Sequence, residues 1–174
     1  MESVEEDAWM MPIEAFEWIE SNIEYGSTIL EFGSGNGTKR LCKNYEVHSV
    51  EHNVEWLDLA ESNYIYAPII LDENRDAGDE IGWYNPNPIR ENLPKNISLL
   101  IIDGPPAKIG RSGILNHLDI VTECDYILID DMHRPREYEL SQKLAKLCNL
   151  KCSHLGKSFT NKDVERRFAI LERK

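Results

Sequence analysis

Three short apolar runs constrain what this chain can fold into: Thr28–Phe32, Ile97–Ile102 and residues 126–129. Each is continuous rather than alternating, so each suits a strand covered on both faces. Stretches with helical spacing lie between them, and strands that alternate with helices build a parallel sheet with helices on either side. The expected fold class is α/β, a doubly wound and mostly parallel sheet. Each run also stops at polar or glycine-rich residues: Glu31 to Gly37, then Asp103-Gly104-Pro105-Pro106, then Asp130-Asp131. In such sheets ligands sit beyond the carboxyl ends of the strands. These residues therefore collect on the one edge where a site should form.

The rest of the chain fills in around these runs. Ile13, Phe16, Ile19 and Ile23 recur at helical spacing behind Pro12, which suits a first helical position, and Gly26 stops that helix. A helix is expected over 38–44 and a second strand over 47–50, ending at Glu51. Another helix is expected over 54–64, with Trp56 or Leu57 and Ala60 facing in, then a third strand over 64–71, weakened by Pro68. Residues 72–96 are polar and turn-rich, include Asn85-Pro86-Asn87-Pro88, and read as one long loop near the site. Helices follow over 114–121 and 137–147, and segments 151–156 and 167–172 form a C-terminal antiparallel strand pair. With no internal repeat, the 174 residues make one domain with one sizeable core.

Charge narrows the partners. A formal net charge of -12 repels phosphate backbones unless a basic patch offsets it. Lys39-Arg40 and Arg166-Arg167 are isolated pairs and read as a solvated face. Nucleic acid and anionic membrane are not expected as partners, and nothing sets an oligomeric state. The acidic start (Glu2, Glu5, Glu6, Asp7) is unlike a signal peptide, and no apolar run approaches the roughly 20 residues that span a bilayer. Cys42, Cys124, Cys148 and Cys152 form no CxxC pair and are expected as reduced thiols. A soluble, cytoplasmic protein is expected.

A glycine-rich turn between strand and helix lets backbone approach a ligand closely and leaves helix N–H groups free. Dinucleotide enzymes space these glycines as G-x-G-x-x-G. Here the spacing is Gly33-x-Gly35-x-Gly37, with Glu31 two residues ahead. That E-x-G-x-G-x-G run resembles the first motif of the class I S-adenosylmethionine (SAM)-dependent methyltransferases, whose sheet is Rossmann-like, and the resemblance extends from about residue 26 to 172. It implies SAM as cofactor, with its amino-acid tail over Gly33, Ser34, Gly35 and Gly37. Glu31 would serve the ammonium directly or through water. Glu51, 18 residues after Gly33, would take the ribose hydroxyls, with His52 and Asp103 as further cofactor contacts. Trp83-Tyr84, Asp103-Gly104-Pro105-Pro106, Arg111 and Asp130-Asp131-x-x-Arg134-x-x-Glu137 are similar to a small bacterial and archaeal branch, related to the glucuronoxylan O-methyltransferases. The acceptor so implied is a small polar molecule, with a hydroxyl of a sugar acid or phenol as the leading candidate.

Methyl transfer from a sulfonium is an in-line displacement, so the acceptor must be brought to near-attack distance and water kept out. An oxygen acceptor gains from losing its proton, and a divalent cation such as Mg²⁺ or Mn²⁺ held by carboxylates promotes that loss. Asp103, Asp130 and Asp131 resemble the metal layout of the catechol- and caffeoyl-type O-methyltransferases, with Asp-Asp where those carry Asp-Asn. They form a candidate metal site. The competing reading is pairing with Arg111 or Arg134, or simple solvation. The candidate catalytic residues are Asp103, His133 as base or further ligand, and Lys108, near where catechol-type enzymes carry a lysine base. Trp83 and Tyr84 either pack on adenine or the acceptor, or anchor the long loop to the sheet. Metal-free N-methylation and a SAM- or nucleotide-binding module without catalysis are the alternative functions.

Overall fold

The computed structural model describes residues 10–76, 78–121, 124–159 and 165–174. Its strands are β1 (Thr28–Phe32), β2 (Glu46–Glu51), β3 (Asn63–Tyr66), β4 (Ile69–Leu71), β5 (Gly82–Tyr84), β6 (Ile97–Ile102), β7 (Cys124–Ile129), β8 (Leu150–Phe159) and β9 (Glu165–Arg173). Its α-helices are α1 (Ile13–Asn22), α2 (Asn36–Leu41), α3 (Pro86–Glu91), α4 (Leu118–Val121) and α5 (Pro135–Leu147). Seven strands form one sheet in the order β3-β2-β1-β6-β7-β9-β8, and β4 and β5 form a separate antiparallel pair. The first five strands of the sheet run parallel, and β9 runs antiparallel to both β7 and β8. From β1 the chain winds outward to β3, then returns to place β6 on the other side of β1. That reversal is the switch point at which α/β sheets bind ligands.

Both faces of the central strands β1, β6 and β7 are largely buried, which explains why their runs are continuous. Ile29, Leu99, Ile101 and Leu128 face α1 and α2, where Phe16, Ile19 and Leu41 complete one core. Their neighbours Leu30, Phe32, Leu100 and Ile127 face the opposite way, against Ile89 of α3, Ile120 of α4 and Leu140 and Leu144 of α5. The alternation of side chains along each strand thus feeds two apolar layers.

Several elements differ from the sequence expectation. No helix fills 54–64. Asn53 caps a three-residue 3-10 turn, Val54–Trp56, by accepting from the Glu55 N–H, and Asp58 takes a left-handed φ of 63° that breaks any helical continuation. The third strand is split. β3 pairs with β2, Pro68 follows, and β4 turns away to pair with β5. Residues 72–96 are not one loop, since they contain β5 and α3; Asn85 caps α3 by accepting from the Asn87 N–H, and Pro86 is its first residue. In place of one helix over 114–121 there is a 3-10 turn, Ser112–Asn116, followed by the single turn α4. Trp83 and Tyr84 are buried, with their ring centroids 5.5 and 5.7 Å from that of Phe32, so they anchor the β4–β5 hairpin to the sheet. No helix among the described residues is long and apolar enough to cross a membrane.

Candidate functional site

A cavity of about 510 Å³ opens above the carboxyl ends of β1, β2 and β6. Gly33 and Ser34 from the turn after β1 form one wall, and Glu51, His52, Asn53 and Trp56 from the end of β2 form the next. Tyr84 of β5 and Asp103 and Gly104 after β6 close the far side. Arg111, Asp131, Arg134 and Arg166 line the end beyond Asp103.

Glu51 is held rigidly. Its Oε2 accepts from the Ser34 N–H at 3.0 Å and the Ser34 hydroxyl at 3.3 Å, and its Oε1 accepts from the N–H groups of His52 and Asn53 at 2.7 and 2.8 Å. The His52 Nδ1 lies 2.9 Å from Oε1 but out of line for a hydrogen bond. With four donors on the roughly four lone-pair sites of a carboxylate, Glu51 would receive a ligand hydroxyl in exchange for its longest contact, the Ser34 hydroxyl at 3.3 Å. It also ties the glycine turn to β2.

Glu31 lies on the other side of that turn. Its Oε1 accepts from the hydroxyls of Thr38 and Ser49, both at 2.6 Å, and Thr38 Oγ1 in turn accepts from the Gly35 N–H at 3.0 Å. Burial pushes the Glu31 carboxyl up to about 7; the two hydroxyls oppose this, and the nearby Glu51 charge adds to it. Glu31, Gly35 and Gly37 do not line the large cavity. They border a space of about 10 Å³, shared with Gly33 and Asp103 and closed by Met10 and Met11. It is about the size of one water. Gly37 has a packing reason to be glycine, because a Cβ there would meet the Phe16 ring of α1 at 2.8 Å. Gly33 has two: a φ of 87°, and a Cβ position only 3.0 Å from the Gly104 Cα.

Three acidic side chains come together beyond the ends of β6 and β7. Asp103, Asp130 and Asp131 each bring a carboxylate oxygen within 4.8 Å of the others. Arginines already answer them. Arg111, 4% exposed, donates to the Asp131 carboxylate at 2.9 Å, to the Asp103 carboxylate at 3.3 Å, and to the carbonyls of Asp103, Asp130 and Pro105. Arg134 meets Asp131 at 2.8 Å, and Arg166 meets Asp130 at 3.0 Å while also donating to the Met10 carbonyl. Burial raises the Asp130 carboxyl to about 6, with the Asp131 charge adding to the effect and Arg166 opposing it. Burial, then the Asp130 charge, holds Asp103 well above the ordinary carboxylate range. One buried oxygen of the cluster, Asp130 Oδ1, has no partner. With three guanidiniums bound to three carboxylates, the donor set does not fit a resident divalent cation.

Of the cofactor candidates, the cavity gathers Gly33, Ser34, Glu51, His52 and Asp103. Of the catalytic candidates it holds Asp103; Lys108 and His133 are exposed and outside its walls. Arg166 is one site residue that the sequence did not reveal. Read as part of a solvated pair, it instead reaches the cluster because β9 lies beside β7, with Ala169 opposite Ile129. Glu80 was missed too: its carboxylate accepts from the N–H groups of Arg111 and Ser112 and fixes the start of the turn that carries Arg111.

No family model matches the chain, and no curated protein matches its sequence. Solved structures do match its backbone. It is similar to a candidate tRNA methyltransferase from Streptococcus pneumoniae in complex with SAM (TM-score 0.62, 13% identity, 94% of this chain and 73% of that one). It is similar to a candidate RNA methyltransferase from Pyrococcus horikoshii (TM-score 0.60, 13% identity, 92% and 81%). The magnesium protoporphyrin IX methyltransferase of Synechocystis with bound SAM gives a TM-score of 0.58 at 11% identity, over 93% and 77%. At these identities the likeness is one of fold: the chain has the Rossmann-like fold of the class I methyltransferases.

Proposed function

We propose that this protein transfers a methyl group from SAM to a small polar acceptor, with a hydroxyl oxygen as the preferred nucleophile. The observation that carries the reading is the 510 Å³ cavity at the switch point, walled by the glycine turn and by a Glu51 held fast at the end of β2. Methyltransferases of this fold crystallised with SAM, among them the Synechocystis and Streptococcus proteins, support it. The bound cofactor supplies an electrophilic methyl group on a sulfonium. This chain supplies the rest. Glu51 accepts from the ribose hydroxyls, the Gly33-Ser34 turn brings backbone close to the ligand, and Glu31 acts through the small space beneath the turn. A cavity of this size suits one drug-sized ligand, roughly 300–1,000 Å³, so the cofactor takes most of it and only a small acceptor, or a small end of one, enters. The acceptor's place is the end walled by Asp103 and the arginines. Asp103 is the base, since a carboxyl with a raised pKa is a better proton acceptor once ionised. The arginines exclude water and orient the acceptor.

Nitrogen is the second candidate acceptor atom, because the arginines occupy the carboxylates that a hydroxyl-activating cation would need. An RNA acceptor, the substrate class named for the Pyrococcus horikoshii protein, fits the net charge of -12 poorly. Titration calorimetry with SAM and with its demethylated product S-adenosylhomocysteine tests the cofactor. No heat from a folded sample would remove the reading. An acceptor screen with ¹³C-methyl SAM then separates O-methyl from N-methyl products by chemical shift.

A further inference from the structure

The large cavity has a buried polar atom that the fold leaves unused. Tyr84 is 1% exposed, lines the cavity, and its hydroxyl has no hydrogen-bond partner. Three other rings enclose it: Phe32 and Trp83, each with its centroid 5.7 Å away, and His52 at 6.0 Å. The ring is therefore not free to stack on adenine, nor to swing toward another partner. Its hydroxyl edge points at the turn after β6. A methyl group on Gly104 would sit 2.5 Å from the hydroxyl oxygen and 2.8 Å from the Gly33 Cα. Hydroxyl, Gly104 and Gly33 thus meet where the ends of β1 and β6 part, under the space assigned to the cofactor.

A buried hydroxyl without a partner is costly, and phenylalanine would fill the same space without that cost. None of the protein's own groups among the described residues partners the oxygen, so a contact for it would come from a ligand in the cavity. Its neighbourhood indicates the kind of contact. Burial first, and then the charge of Glu51, hold the phenol well above its ordinary pKa, so it remains an O–H donor. Glu51 is an acceptor in the same cavity. A donor beside an acceptor matches a sugar, whose oxygens offer both hydroxyl protons and lone pairs.

We propose that the Tyr84 hydroxyl donates a hydrogen bond to a ribose oxygen of the adenosyl cofactor, beside the Glu51 carboxylate that accepts from the same sugar. This rests on the SAM reading above, and the experiment separates the two. S-adenosylhomocysteine and adenosine are titrated calorimetrically into wild-type protein and Tyr84→Phe, with thermal melts of both. The variant should melt at or above the wild-type temperature and bind both ligands about five- to tenfold more weakly. If wild-type protein binds neither ligand, the SAM reading fails and this proposal with it. If wild-type protein binds and Tyr84→Phe binds equally well, the proposal alone is overturned. A loss seen with S-adenosylhomocysteine but not adenosine overturns the assignment to the sugar. Should Tyr84→Phe not fold, a crystal structure of the wild-type complex decides. A ribose oxygen within about 3.2 Å of the Tyr84 hydroxyl is the expected result, and none within about 4 Å overturns the proposal.

Discussion

Replacing Arg111 with methionine tests whether the arginines hold the end of the sheet together. Methionine keeps most of the volume and removes the charge. Arg111 is buried, and its guanidinium joins the β6 end, through Asp103 and Pro105, to the β7 end, through Asp130 and Asp131. Arg134 and Arg166 remain on Asp131 and Asp130, but Asp103 loses its arginine and three carbonyls lose a donor. Removing one partner of a buried ion pair costs about 3–5 kcal/mol. For a domain of this size each kcal/mol moves the melting temperature by roughly 2–4 °C, so a fall of roughly 6–20 °C is expected near pH 8. The loss should shrink near pH 5. Asp130, whose folded-state pKa is about 6, and Asp103, held well above the ordinary range, carry protons there, so less negative charge is left unanswered. Differential scanning calorimetry at the two pH values is the assay. A fall of under about 2 °C, or an equal fall at both, would refute the reasoning.

Three further outcomes are expected. Glu31 has a folded-state pKa of about 7 against 4.5 unfolded, so its stabilising contribution is complete below about 4.5 and is lost as pH rises through 7. The melting temperature of Glu31→Gln, relative to wild type, should therefore climb between about pH 5 and pH 8; a flat difference would place the carboxyl in a more polar setting. Glu51→Gln should weaken S-adenosylhomocysteine binding by about 1.5–3 kcal/mol, roughly ten- to 150-fold by calorimetry, because a hydrogen bond to a charged group is lost and the amide nitrogen faces backbone donors. Gly37→Ala should lower stability by about 1–3 kcal/mol in urea titrations, as the new methyl presses on the buried Phe16 ring; an unchanged midpoint would mean that α1 yields freely.

What the sequence disclosed, and what it hid, follows from distance along the chain. Ile97–Ile102 was legible because a strand buried on both faces needs no information beyond its own residues. The glycine turn was legible because its spacing is local, and Glu51 because its separation from Gly33 reflects one helix and one strand. The stretch 54–64 misled because Trp56, Leu57 and Ala60 mimic helical spacing, while the left-handed backbone at Asp58 leaves no mark in the pattern. The roles of the glycines were only half visible: spacing showed that a turn was needed, not that Gly37 faces Phe16 rather than a ligand. Arg166 was hidden altogether. It meets Asp130 across 36 residues, and only the antiparallel register of β9 brings them together.

That meeting has a thermodynamic corollary. Arg166 holds the Met10 carbonyl with one guanidinium nitrogen and Asp130 with the other. Met10 closes the small space beneath the glycine turn, whereas Asp130 belongs to the acidic cluster after β7. One cation therefore links two variables that lie far apart in the chain: the position of the segment at Met10 and the protonation of Asp130. A proton on Asp130 weakens one of the two holds on Arg166, and displacing the Met10 segment removes the other. By linkage, whatever free energy the first event contributes to the second is returned in equal measure.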